Sequence, residues 1–228
     1  MRPIDYYGFR SELRFGAVLV LVALITGCAG SPTKEKRAEG PNLSGDAIVV
    51  TDDVAVDDEL KRDFEAATAL LAAEKYEQGI TLLGKVIKRS PKSTAPYINL
   101  AMAYRKQDKL EQAEEQIKKA LEISPLHPAA NDEYAKIHRR NGRFGEARRL
   151  YEALLKEYPK FHPARKNLAI LCDLYLQDLS CALEQYEIYS EARPEDEKVT
   201  LWIADLRRRI GCGRGCGCVS AAPPAHRP

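Results

Sequence analysis

From Leu60 to Asp196, apolar residues fall at the three-and-four spacing of amphipathic helices, in paired stretches that recur every 34 residues. The first stretch of each pair carries Ala66/Ala67/Leu70, Leu100/Ala101/Tyr104, Tyr134/Ala135/His138 and Leu168/Ala169/Cys172, each trio on one helical stripe. The second carries Leu83/Val86, Ile117/Ala120, Tyr151/Leu154 and Tyr186/Tyr189. Between the two lie short turns with breaker residues, Gln107-Asp108-Lys109 and Asn141-Gly142-Arg143 among them. Pro91, Pro125, Pro159 and Pro194, spaced 34, 34 and 35 apart, end each second helix. Proline lacks the amide donor and turns the residue before it away from helical geometry. The pattern predicts four helical hairpins, over 60–93, 94–127, 128–161 and 162–196. A closing helix is expected over 197–210, with Val199, Leu201, Trp202, Ile203 and Leu206 for packing. Arg207, Arg208 and Arg209 stand at its end, where cations favour the helix dipole.

Small residues hold two fixed places in every repeat: Ala67, Ala101, Ala135 and Ala169 in the first helix, and Gly79, Ala113, Ala147 and Ala182 in the second. They mark where paired backbones approach most closely. Gly79 allows that contact but costs about 1 kcal/mol of helix propensity relative to alanine. At these residues the chain resembles the tetratricopeptide repeat (TPR) family. The resemblance implies an all-α fold, a right-handed α–α superhelix of four hairpins with a C-terminal capping helix, that binds proteins along an extended surface. Two departures stand out. The family's aromatic near the start of the first helix survives only as Tyr97, and one extra residue lies between Ala169 and Ala182. That insertion is expected near the turn at 176–181, leaving the stack intact.

The N-terminus adds an address. Arg2, Arg10 and Arg14 precede an apolar run, Phe15–Ile25, that is short for a membrane span and reads as a signal peptide over 1–27. Ile25-Thr26-Gly27-Cys28 resembles a bacterial lipobox, which implies cleavage before Cys28 and its lipidation by palmitate-type chains. Ala29 in the following position implies the outer membrane, with the protein facing the periplasm. Residues 28–57, rich in Gly, Pro, Ser and charges and without a helical period, read as a lipidated flexible tether. Asp57, Asp58 and Glu59 stand where acids satisfy the open amides of a first helix.

Charge is unevenly spread. Repeats 1 and 3 are basic, whereas repeat 4 holds three basic residues against seven acidic ones. In TPR proteins the concave groove is lined by the first helices. The corresponding trios here are Phe64/Thr68/Leu71, Ile98/Met102/Arg105, Asp132/Lys136/Arg139 and Lys166/Ile170/Asp173, each on one face by its +4 and +3 spacing. An apolar floor of Phe64, Leu71, Ile98, Met102 and Ile170 flanked by Arg105, Lys136, Arg139 and Lys166 suits a peptide bearing acidic residues. Packing of those apolar positions against neighbouring repeats is the alternative. Only scattered members of the family's carboxylate clamp are present (Asn99, Lys166, Asn167), so recognition of a free C-terminus is not supported.

Five cysteines remain besides Cys28. Cys172 and Cys181 flank the last intra-repeat turn and are a candidate disulfide, with two buried thiols as the alternative. Residues 211–228 read as a disordered Cys/Gly-rich tail in which Cys212, Cys216 and Cys218 do not form a standard zinc spacing. No glycine-rich phosphate loop, zinc-protease helix or nucleophile elbow is present, so no enzyme, cofactor, metal or small-molecule substrate is expected. A net charge of +2 and the signal peptide disfavour nucleic acid. The reading is a membrane-anchored scaffold of the bacterial envelope that binds envelope proteins in its groove. It is similar to lipoproteins that assist pilus or secretion pores and to those that recruit cell-wall enzymes. The alternative is a redox or metal-handling lipoprotein using the C-terminal cysteines.

Overall fold

The computed structural model describes residues 57–212, and there the sequence period becomes a period of hairpins. Among the described residues are nine α-helices and no strand. They are α1 (Asp58–Ala72) with α2 (Tyr76–Arg89), α3 (Thr94–Lys106) with α4 (Leu110–Ile123), and α5 (Pro128–Arg140) with α6 (Phe144–Glu157). The fourth pair is α7 (His162–Leu171) with α8 (Leu179–Ala192), and α9 (Glu197–Cys212) closes the array. The architecture is a right-handed α–α superhelix. The closing helix continues through Gly211 and Cys212, two residues beyond the expected end.

The second-helix stripe is buried without exception: Leu83, Val86, Ile117, Ala120, Tyr151, Leu154, Tyr186 and Tyr189. The first-helix stripe is buried or half-buried in repeats 2 to 4. In repeat 1 Leu70 is half-buried in the same way, whereas Ala66 is exposed. Leu71, expected in the groove, is instead fully buried against Gly79.

Helix ends follow simple capping rules. Asp57 accepts a hydrogen bond from the Leu60 amide at 2.7 Å, satisfying one of the open donors of α1. Arg89 then ties Asp57, Glu59 and Asp63 to the end of α2. The proline carbonyls are also used. Tyr97, Asn131 and Arg165, 34 residues apart, donate to the carbonyls of Pro91, Pro125 and Pro159 at 3.2, 3.0 and 2.9 Å. Three unlike side chains therefore do the same job, which explains why the family's aromatic is dispensable in repeats 3 and 4.

Each intra-repeat turn needs one residue in the left-handed region: Glu74, Asp108, Gly142 and Gln177. Gln177 lies 35 rather than 34 residues after Gly142, so the insertion falls before it. It is absorbed at Cys172–Leu176 by a π-helical turn that continues α7. The extra residue is thus earlier than the expected 176–181 position. Widening one helical turn costs less than breaking the α8 stripe. Asp178 resumes the pattern by capping α8 through the Cys181 amide at 3.0 Å.

Candidate functional site

Successive first helices touch one another: α1 meets α3, α3 meets α5, and α5 meets α7. Closely spaced first helices make the inner face of a curved stack, so the groove trios share one continuous surface. The apolar members of that surface are not open. Phe64, Ile98, Met102 and Ile170 are all buried. The floor offers a partner little apolar side chain.

The cations are held as well. Arg105 donates to both carboxylate oxygens of Glu133, a residue only 2% exposed, with Nη2 to Oε2 at 3.2 Å. Burial works against the Arg105 charge, but Glu133 and Asp132 outweigh it and hold its pKa above the usual value. Lys136 pairs with Asp132 at 2.7 Å on its own helix, and Asp132 also accepts from Asn167 of the next repeat at 2.9 Å. Lys166 meets Asp196 at 2.8 Å, just ahead of α9. Burial opposes the Asp196 charge, yet Lys166 and the Tyr189 hydroxyl hold its carboxyl below the usual range. Tyr189, buried and donating to Asp196 at 3.1 Å, has its own pKa pushed up to about 12. Asp173, wholly buried, accepts from Arg209 of α9 at 2.7 Å. The arginine run therefore does more than face solvent, since Arg207 also reaches Glu187 of α8 at 2.7 Å.

Arg139 differs from the other three. Its Nε and Nη1 are buried and have no hydrogen-bond partner. Its guanidinium lies 5.6 Å from the ring centroid of Tyr175, which the π-helical turn carries. Two buried hydroxyls within range of its charge are also without partners, those of Tyr151 on α6 and Tyr186 on α8. Burial pushes both phenols well up, and the charge of Arg139 acts on each in the opposite direction. These hydroxyls were invisible to the sequence reading, which placed both tyrosines in the packing stripe and treated them as apolar. Glu133 and Asp196 were missed because partners 28 and 30 residues on do not show as a local pattern.

A disulfide joins Cys172 to Cys181, with the Cα atoms 5.9 Å apart, and clips the π-helical turn to the start of α8. Cys28, Cys216 and Cys218 lie outside the described residues, and of Cys212 only the backbone is described. Among the described residues no cluster of His, Cys, Asp and Glu is arranged to hold a metal, and no helix is long and apolar enough to cross a membrane.

Comparison with known proteins agrees with this geometry. Two tetratricopeptide repeat models match, over residues 70–137 and 128–171, so the chain contains tetratricopeptide repeats. PilF of Pseudomonas aeruginosa is similar in structure, at 20% identity and TM-score 0.61 over 66% of this chain and 68% of that one. MamA (41-end) of Desulfovibrio magneticus RS-1 is similar at 17% identity and TM-score 0.59 over 70% of this chain and 90% of that one. A chain of the Naa15/Naa10 structure bound to HypK-THB matches at 23% identity and TM-score 0.53 over 67% of this chain. This chain spans only 23% of that one. Identities this low speak to the fold alone. No curated protein matches in sequence.

Proposed function

We propose that this protein is a membrane-anchored, non-catalytic scaffold of the bacterial envelope that holds a segment of a partner protein along the face of its first helices. The observation that carries the reading is that continuous face, built by contacts among α1, α3, α5 and α7 in a chain that contains tetratricopeptide repeats. TPR arrays present such surfaces without an active site. Ion pairs crossing every hairpin boundary, among them Lys109–Glu77, Arg105–Glu133 and Arg148–Asp178, support a rigid surface rather than a reacting one.

The envelope address rests on the N-terminal sequence, with Cys28 as the lipidated residue and the outer membrane as the destination. The scaffold then serves assembly of a pilus or secretion pore, or recruitment of cell-wall enzymes. The likeness to PilF of Pseudomonas aeruginosa makes the first of these the one to test first. Crosslinking the tagged protein in living cells, followed by mass spectrometry of what it holds, should return envelope proteins. Cys28→Ala should release it from the membrane fraction. Cytoplasmic partners, or an alanine variant that stays with the membrane, would sink the reading.

A further inference from the structure

The groove holds one cation that the fold itself leaves unanswered. Of its four candidate cations, Arg105, Lys136 and Lys166 each meet a carboxylate of this chain, and Arg139 does not. Buried donors without partners are rare in native proteins, and each one calls for an explanation. Four such atoms are Arg139 Nε, Arg139 Nη1, Tyr151 Oη and Tyr186 Oη, the two tyrosines sharing one buried cluster and both within range of the Arg139 charge. They come from three helices of two repeats, so no single local accident of packing leaves them bare together.

We propose that Arg139, Tyr151 and Tyr186 form a receptor for one carboxylate, the side chain of an Asp or Glu in the partner segment. The inference rests on the groove being the partner surface and names the partner's anchor there. The charge count selects the ligand. Glu133, Asp132 and Asp196 already neutralise the other cations, so the receptor offers a single positive charge. A carboxylate matches that charge, and its two oxygens match the planar guanidinium fork. A phosphate group would bring nearly two charges into the field of the same three acids. An apolar anchor would find Phe64, Ile98, Met102 and Ile170 already buried. The hydroxyls can donate to the carboxylate, since a tyrosine phenol carries its proton at neutral pH.

Tyr175 is the gate. Arg139 rests against its ring, which is 41% exposed on the π-helical turn. To meet a carboxylate, the guanidinium pivots off that ring and gives up one cation–π contact, a small loss beside two charge-assisted hydrogen bonds. The inserted residue of repeat 4 thus has a consequence for binding: it creates the turn that brings Tyr175 over Arg139.

The test is selection of random 12-residue peptides displayed on phage, against the full chain and its Arg139→Gln variant. Selected peptides and their Asp→Asn or Glu→Gln counterparts are then compared by fluorescence anisotropy. Peptides taken by the unmodified chain should share an acidic residue at one position. Its amide counterpart should bind roughly tenfold more weakly, as expected for loss of a charged hydrogen-bonded pair. On Arg139→Gln the two peptides should bind alike, and Tyr151→Phe/Tyr186→Phe should weaken only the acidic one. Groove-binding peptides without a shared acid overturn the receptor and leave the groove reading standing. Equal acid dependence on Arg139→Gln does the same. Selection of nothing by either protein overturns both. Acidic peptides selected only by a chain lacking residues 41–56, which hold Asp46, Asp52 and Asp53 and no Lys or Arg, make that stretch the occupant and overturn the assignment to a partner.

Discussion

Leu71 fills, beside Gly79, the space that an alanine methyl takes in the later repeats. A Cβ at Gly79 would stand 2.5 Å from Leu71 Cδ2 and 3.2 Å from the Ala67 carbonyl oxygen. One, two and three repeats on from Leu71 stand Arg105, Arg139 and Asp173, polar residues at the groove phase, and Ala113, Ala147 and Ala182 occupy the facing position. The glycine is therefore the complement of an inward-turned leucine. Gly79→Ala should destabilise the protein in urea, since overpacking of about 1–3 kcal/mol outweighs the roughly 1 kcal/mol gained in propensity. Adding Leu71→Val should recover part of the loss, with a coupling of about 1 kcal/mol. Strictly additive effects would show that the two residues do not share the space.

The groove cations should divide into two kinds. Lys136→Gln leaves Asp132, 6% exposed, without its cation, and removing one partner of a buried pair costs about 3 kcal/mol or more. Arg139→Gln removes no ion pair and should change the denaturation midpoint little. Tyr186→Phe deletes a buried hydroxyl that has no partner, so the melting temperature should hold or rise. A loss of stability in Tyr186→Phe would mean that the hydroxyl is satisfied within the fold.

Stability should fall as pH drops from about 7 to 5, in the range where histidine takes up its proton. His138 and His162 are both held below the usual histidine pKa, chiefly by burial, with Arg143 adding to the effect at His138 and Arg193 at His162. A depressed folded-state pKa means that the unfolded chain binds the proton first. The stabilisation is therefore complete above the unfolded value and fades as pH falls through the folded one. Glu114, held at about 2 by Arg143 and Lys118, lowers stability mainly below this window, as the unfolded carboxyl takes up its proton. Urea midpoints at pH 7.5, 6.5 and 5.5 should decline, and His138→Gln should flatten the decline. An unchanged slope in the variant would remove His138 from the account.

The disulfide between Cys172 and Cys181 closes a short loop of sequence separation 9 around the π-helical turn. On the chain-entropy model a loop of this size contributes about 2–3 kcal/mol. Cys172→Ala/Cys181→Ala should lower stability by that order, and amide exchange should speed up first in α7, α8 and α9. Exchange that speeds up uniformly along the array would contradict a local clip.

Most of the fold can be read from the small residues and prolines, since a 34-residue period with alanines at two fixed points admits few packings besides stacked hairpins. The π-helical turn was out of reach. An inserted residue between Ala169 and Ala182 shows only that one turn is longer, and the choice between loop and widened helix depends on how Cys172 and Leu176 pack. The groove was half legible. Periodicity puts Arg105, Lys136, Arg139 and Lys166 on one face, but Glu133 comes from the next repeat and Asp196 from the far end of repeat 4. Which cation stays unpaired is a property of the stack, and only Arg139 does so among the four.

The central claim, that a partner lies along the first-helix face, is tested most directly by photo-crosslinking in cells. A benzophenone amino acid is placed at Tyr175, beside Arg139, and in a parallel strain at the exposed Gln112 on α4. The account predicts a discrete protein adduct from position 175 and none from 112. An adduct from 112 with none from 175 would place the partner on the second helices and contradict the account.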